Sequence, residues 1–475
     1  MRILTCIFLL IVLAACSNQR GKDKQFLTER ISRIENGLEP NLQIEGEETP
    51  HYQIEARMRE LGIPGLSIAV INHGQLEWAK GYGMADSSEN RQVTTETMFL
   101  AGSISKPVSA LRAHQLADKG IIHLDSNVNK YLTSWKVPEN GFTQKEKVTT
   151  RRILNHTAGL TVWGFPGYGR EDTIPSLHQV LDGEGNTDPV RVYQEPGSGW
   201  QYSGGGYTVM QLMMTDIEKK TFPELMQSHI LTPLGMRVST FENPLPSPYH
   251  AMAATGYRRN GNEVKGKWHV YPEMAAAGLW TTPSELVLYA KEIQEIYQTG
   301  RDGLLKTSTV KQMLSPGMND YGLGPAITAH TFGHNGADEG FRAELVAWKE
   351  HPVALVIMVN SDNGNIIQEI KLSIAREYGL PGVEPIKRVY HQLSNEELQK
   401  FAGKYRIPDL GEVEMLVKDN GLEHLAPFAP EPIFLLPSSD STFYNKNGGA
   451  YLEFIRKGDA ITGFRFYGFE ASKIE

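Results

Sequence analysis

Apolar positions first recur at helical spacing at Leu27, Ile31, Ile34 and Leu38, which predicts an amphipathic helix over Phe26–Leu38. A polar stretch runs to Pro50. Ile54 to Leu61 then reads as a second helix, stopped by Gly62-Ile63-Pro64-Gly65. Two short apolar runs follow, Leu66–Ile71 and Leu76–Tyr82; with Asn72-His73-Gly74 between them they predict a β-hairpin. From about Ser103 to Ser315 the sequence is helical and turn-rich. Strand-like runs return at Phe341–Trp348 and Val353–Asn360, joined through Glu350-His351-Pro352, and Asn365–Tyr378 is a closing helix. Strands thus come from both ends of a long segment with helices between. That order predicts an α+β fold: an antiparallel sheet flanked by helices, with a helical insertion. After Leu380-Pro381-Gly382 the pattern changes again. Val413–Val417, Ile433–Leu436, Tyr451–Ile455 and Ile461–Tyr467 are short strand-like runs punctuated by Gly, Asp and Asn, which predict a small C-terminal β domain in the form of a partial barrel.

The first residues stand outside this pattern. Arg2, an apolar run from Ile3 to Val12 and then Leu13-Ala14-Ala15-Cys16 describe a secretory signal, too short to span a bilayer. The cysteine after two alanines resembles a bacterial lipoprotein signal, which implies cleavage before Cys16 and lipidation of its sulfur. Ser17 to Lys24 are polar, as a tether requires. The organisation expected is a signal peptide over 1–15, a tether and helix over 16–50, a main domain over 51–384 and a β domain over 385–475. An anchored protein of this kind faces the periplasm, and Ser17 resembles the sorting residue of outer-membrane lipoproteins in Gram-negative bacteria.

Composition narrows the chemistry. Cys6 and Cys16 are the only cysteines. One leaves with the signal and the other carries lipid, so a cysteine nucleophile, a Cys-rich zinc site and a disulfide framework are excluded from the mature domains. No His-Glu-x-x-His occurs. The net charge is −8 with no basic stripe, which argues against a nucleic-acid partner. No cofactor or metal is implied.

Ser-x-x-Lys puts a hydroxyl and an amine on one helix face, within reach of each other. It occurs twice, at Ser103-Ile104-Ser105-Lys106 and at Ser308-Thr309-Val310-Lys311. Most such pairs are surface residues, and context separates these two. Ser103 follows the apolar Phe99-Leu100-Ala101-Gly102, and Pro107 lies in the first turn of a helix continued by Val108, Leu111 and Leu116. Ser103 therefore opens a buried helix, whose N-terminal field favours developing negative charge. Ser308 and Lys311 lie on a short polar helix. Further along, Tyr202 lies between glycines in Pro196-Gly197-Ser198-Gly199-Trp200-Gln201-Tyr202-Ser203-Gly204, ahead of a helix over Tyr207–Ile217. His334 lies in Phe332-Gly333-His334-Asn335-Gly336-Ala337, beside the second hairpin. A tyrosine or histidine alone is usually structural; this set, in this order, predicts a serine hydrolase with a second proton carrier and a substrate-lining strand.

With those residues in view the chain resembles the serine β-lactamase and penicillin-binding-protein superfamily in its class C-like branch, over about Ile54–Tyr378. The resemblance implies a nucleophile at Ser103 and its base partner at Lys106, a catalytic tyrosine at Tyr202, and an edge-strand motif at His334-Asn335-Gly336. It also implies an oxyanion hole from the backbone N–H groups of Ser103 and Ala337. Two segments, Leu154-Asn155-His156-Thr157-Ala158-Gly159-Leu160 and Gly278-Leu279-Trp280-Thr281-Thr282-Pro283, resemble family landmarks; they are read as structural turns, so His156 is not a catalytic candidate. The C-terminal domain resembles a lipocalin-like appendage. Two positions depart from the family. Gly204 stands where asparagine usually contacts the substrate amide, and His334 stands where β-lactamases and transpeptidases usually have lysine. A neutral histidine would offer substrate a hydrogen bond in place of a fixed charge. The acyl donor, a small molecule or peptide, is left open among esters, D-amino-acid peptides and β-lactams, as is the choice of base between Lys106 and Tyr202. A non-catalytic module that recognises cell-wall peptides is the competing expectation.

Overall fold

The structure is a computed structural model that describes residues 24–408, 410–426, 432–466 and 468–474. The expected signal peptide and Cys16 lie outside the described residues. None of the described helices is long and apolar enough to cross a membrane.

The fold is α+β, with a central antiparallel sheet flanked by helices and a C-terminal β-barrel. Compactness divides the chain elsewhere than composition does. One unit is Glu55–Ile367; the other joins residues up to Ile54 to Gln368 and beyond. In the second unit Leu42–Ile44 pairs in parallel with Ile386–Arg388, and Ser373 Oγ donates to the Ile34 carbonyl at 3.0 Å. These long-range bonds tie the N-terminal segment to the C-terminal part of the chain, which a reading by local composition does not detect.

The sheet of the first unit contains, in chain order, β1 (Gly65–Asn72), β2 (Gln75–Asp86), β3 (Arg91–Gln92), β4 (Ala326–Ile327), β5 (Thr331–Asp338), β6 (Phe341–Trp348) and β7 (Val353–Val359), arranged β3-β2-β1-β7-β6-β5-β4. The predicted hairpin is β1–β2. Its two-residue loop, His73-Gly74, has positive φ at both positions (48° and 71°), the turn that matches strand twist. The second hairpin is β6–β7, and Val353–Val359 is buried at every position, which explains its unbroken apolar run. A helix over Pro283–Thr299 covers β1, β7 and β6. Thr282 caps it by accepting the Glu285 N–H, Pro283 fills its first turn and Gly300 ends it at φ 67°. From that helix the buried Gln294 donates to the Trp348 and Val353 carbonyls at 2.8 and 2.7 Å, locking the loop end of the β6–β7 hairpin.

Two more helices carry the candidate motifs: α1 (Ser105–Asp118) and α2 (Gly204–Glu218). α1 is buried on nearly all sides, so it lacks a one-sided apolar stripe. Several of its polar residues are partnered across to other elements. Arg112, 3% exposed, makes a two-pronged contact with Glu218 at 2.8 and 2.5 Å, joining α1 to the last residue of α2. That contact fixes the Ser103 helix against the Tyr202 helix.

The C-terminal strands close into an eight-stranded barrel. The four runs expected from sequence are present, as Gly411–Lys418, Ile433–Pro437, Tyr451–Lys457 and Ala460–Phe466. Gly403–Ile407, Gly421–Leu425, Thr442–Asn445 and Phe469–Lys473 complete the ring, and Tyr405 pairs with Lys473 to close it. The partial barrel is thus a full one. The four unforeseen strands are only four or five residues long, too short for alternation to stand out.

Candidate active site

Ser103 lies in one tight turn, Gly102–Ile104, that runs directly into α1. Gly102 holds φ at +53°, and a Cβ on it would come within 2.4 Å of the Ala337 nitrogen. Glycine is required there on both counts. The flanks of the turn are pinned. Ala101 N–H donates to the Leu279 carbonyl at 2.8 Å, and Leu279 N–H donates to Ser105 Oγ at 3.0 Å. The segment Gly278–Pro283, read from sequence as a structural turn, is the strap that holds the Ser103 turn in place.

Lys106 is one helical step on and 2% exposed. Its Nζ donates to Ser103 Oγ at 3.0 Å and to the Ala276 carbonyl at 2.9 Å. The same Nζ lies 4.9 Å from the centre of the Tyr202 ring. Tyr202 in turn stacks on His156, with ring centroids 4.3 Å apart. His156 is held by its own turn: Nδ1 accepts the Ser203 N–H at 3.1 Å and its carbonyl accepts the Gln201 N–H at 2.8 Å. It is a post behind the tyrosine ring.

The third motif is on β5. Its neighbour β4 covers only Phe332 and Gly333, so from His334 onward that edge faces the Gly102 turn. Gly336 makes the approach possible: a Cβ on it would lie 2.0 Å from the Ala101 carbonyl oxygen. Asn335 and Ala337 point to the exposed side of the strand, and His334 and Gly336 to the buried side. Both His334 ring nitrogens are engaged. Nδ1 donates to the Asn335 carbonyl and Nε2 accepts from the Tyr321 hydroxyl, each at 2.5 Å. Burial, then the nearby Lys106, pushes His334 down to about 3, so the ring is neutral. The hydrogen bond His334 was expected to offer substrate is therefore already used within the protein.

Ser103, Lys106, Tyr202 and His334 are thus brought into one cluster with Gly336 and Ala337. Ser308 and Lys311 are elsewhere, both exposed on the helix Thr307–Met313. Gly204 starts α2, and its place is filled by other residues: a Cβ on it would meet the Phe165 ring at 2.8 Å and the Trp163 carbonyl at 3.2 Å. An asparagine side chain has no room there unless Phe165 moves.

Four residues at the site were not anticipated. Tyr321 reaches His334 across 13 residues of turn-rich chain, and Trp163 flanks Tyr202 with ring centroids 5.9 Å apart. Neither contact has a periodicity that marks it. Glu273 and Asp338 are buried carboxyls, and no other side chain bonds to the Glu273 oxygens. Burial drives Asp338 well above the usual carboxylate range and Glu273 up to about 8. Glu273 precedes the short helix Met274–Ala277, whose Ala276 carbonyl binds Lys106.

The Glu273 environment has a pH consequence. Unfolded, the carboxyl ionises from about 4.5; folded, it keeps its proton to about 8. Its contribution to stability is therefore full below 4.5 and is lost as pH rises toward 8. Glu273→Gln is expected to match the wild type in urea unfolding near pH 4.5 and to exceed it at pH 8. Equal stability of the two proteins at both pH values overturns this.

With the geometry established, the chain can be placed among known proteins. The Beta-lactamase family model matches residues 53–373. The chain belongs to the Beta-lactamase family. Penicillin-binding protein 4* of Bacillus subtilis (strain 168) is 23% identical over 428 residues, covering 83% of this chain and 90% of that protein. The putative penicillin-binding protein PbpX of the same organism is 23% identical over 66% of this chain and 75% of its own length. Protein flp of Staphylococcus aureus (strain MW2) is 27% identical, but the match covers 50% of this chain and 45% of that protein. Among solved structures, the octameric penicillin-binding protein homologue from Pyrococcus abyssi aligns with a TM-score of 0.60 at 21% identity, covering 88% of this chain and 98% of that one. This last likeness shows the fold. The family supports chemistry of the serine hydrolase type.

Proposed function

We propose that this protein is an acyl-serine hydrolase of neutral esters, or of amides without a terminal carboxylate, acting at a bacterial cell envelope. The observation that carries the reading is the 3.0 Å hydrogen bond from buried Lys106 to Ser103 in a turn faced by β5. Ser103 Oγ bonds to the substrate carbonyl carbon as its proton passes to Lys106 or Tyr202, which act as a coupled pair. The N–H groups of Ser103 and Ala337 receive the oxyanion. The leaving group departs with a proton, and water hydrolyses the acyl-serine.

The substrate preference rests on the absence of fixed charge from the third motif and the positions around it. His334 is neutral and doubly engaged. Arg342, opposite Ala337 in the strand register, has Asp362 as its partner at 2.9 Å. Gly204 brings no amide group. A substrate carboxylate, such as a penicillin carries, has little to hold it. The attachment to the envelope is supported by sequence alone, through the lipoprotein-like signal that precedes Cys16. Metabolic labelling with an alkynyl fatty acid checks it; wild-type protein without label excludes the anchor.

The central test compares kcat/KM for a p-nitrophenyl acyl ester and for nitrocefin, beside labelling by a fluorescent phosphonate. Labelling and a clear preference for the ester are expected. A preference for nitrocefin sinks the substrate reading, and absence of both labelling and turnover leaves a binding module in place of an enzyme.

A further inference from the structure

Trp163 is 71% exposed, the most exposed of the large apolar side chains among the described residues. A large aromatic ring held in water beside a reactive cluster is available to stack on a flat ligand. Its surroundings show that the exposure is enforced. The chain bearing it is clamped onto the start of α2 by three bonds. Ser203 Oγ donates to the Thr161 carbonyl at 2.8 Å, Gly205 N–H to the Val162 carbonyl at 3.0 Å and Gly204 N–H to the Trp163 carbonyl at 3.1 Å. Val162 is forced to φ +64°, a region that a β-branched residue enters only when its neighbours over-determine it. The clamp needs the paired glycines of α2. A Cβ on Gly204 would meet the Phe165 ring at 2.8 Å, and one on Gly205 the Thr161 carbonyl at 2.8 Å. Gly204 and Gly205, Phe165 and the strained Val162 therefore act together to hold one indole out beside Tyr202, 5.9 Å from its ring.

We propose that Trp163 is the specificity-determining platform of this site, and that it stacks on a planar apolar group flanking the scissile bond of the substrate. This rests on the acyl-serine reading above and deepens it, from neutral substrates in general to aryl-bearing ones. Tyr202, 5.9 Å from the indole, continues the aromatic lining toward the Ser103 cluster, and the neutral His334 beyond it adds no charge, so the site suits such a group better than a charged one. Because Trp163 is at the rim and makes none of the bonds of the Ser103–Lys106 pair, it selects substrate without taking part in the chemical step.

The test measures kcat and KM of wild type, Trp163→Ala and Trp163→Phe with two matched series. In one the acyl group is phenylacetyl or acetyl on a methylthiol leaving group; in the other the acyl group is acetyl and the leaving group is benzyl alcohol or ethanol. Labelling rate with a small ethyl fluorophosphonate is read in parallel. Trp163→Ala is expected to lower kcat/KM about tenfold for the aryl member of one series, mainly through KM, the order of one lost aromatic stack. It is expected to change the alkyl member and the labelling rate less than about twofold, and Trp163→Phe should recover most of the loss. The series that responds identifies whether the acyl or the leaving side is bound. Equal effects on aryl and alkyl members, no effect on either, or a parallel drop in labelling overturns the platform while leaving the hydrolase reading standing. Absence of labelling and turnover in the wild type overturns both.

Discussion

Ser103→Ala is expected to abolish turnover and covalent phosphonate labelling, while Ser308→Ala leaves both unchanged. The two serines share a motif and differ in everything around it. Ser103 has the Lys106 amine 3.0 Å from its hydroxyl, the Ala337 amide against the preceding glycine and a strap through Leu279 that fixes its turn. Ser308 is exposed on a short helix. Loss of a nucleophile removes the covalent route entirely, so residual activity should be near background. Residual labelling in Ser103→Ala, or equal losses in the two variants, ends the assignment of Ser103. Tandem mass spectrometry of peptides from the labelled protein gives the site directly.

Lys106→Met should lower acylation by about 10²–10⁴-fold, the range for a positioned acid–base group. Methionine keeps the apolar stem in a site where Lys106 is 2% exposed, and it removes the amine alone. The Ala276 carbonyl loses its partner, so some stability is lost as well. The kinetic effect is separable from that: labelling rate is measured on protein whose circular dichroism matches wild type. Tyr202 is 4.9 Å from the same nitrogen by its ring centre and remains in place. If Lys106→Met loses less than about threefold, Tyr202 carries the proton transfer without Lys106.

Much of this was legible along the chain because it is local. The hairpin at Asn72-His73-Gly74 needs only two positive-φ residues between apolar runs. The closing helix Asn365–Tyr378 shows its own period. Ser103 and Lys106 meet because one helical step brings them together. The barrel was half visible: four of its strands stand out as apolar runs, and the other four are only four or five residues long. The His334 environment was not visible: its neutrality comes from burial and from Lys106, and its hydrogen bonds run to Tyr321 and to its own strand.

By itself the sequence determined the α+β order, the candidate nucleophile and the distinction between its two Ser-x-x-Lys motifs. Each depends on spacing within one element or on the residues immediately beside it. Tertiary structure decided which groups are free to meet a substrate. Gly204 reads along the chain as a missing side chain, and in space its volume belongs to Phe165 and the Trp163 carbonyl. Gly336 reads as a motif letter, and in space it is the point where a strand runs so close to Ala101 that a Cβ would lie 2.0 Å from its carbonyl oxygen. Contacts of this kind join residues tens to hundreds of positions apart, so no periodicity along the chain encodes them; they exist only once the sheet, α1 and α2 are packed.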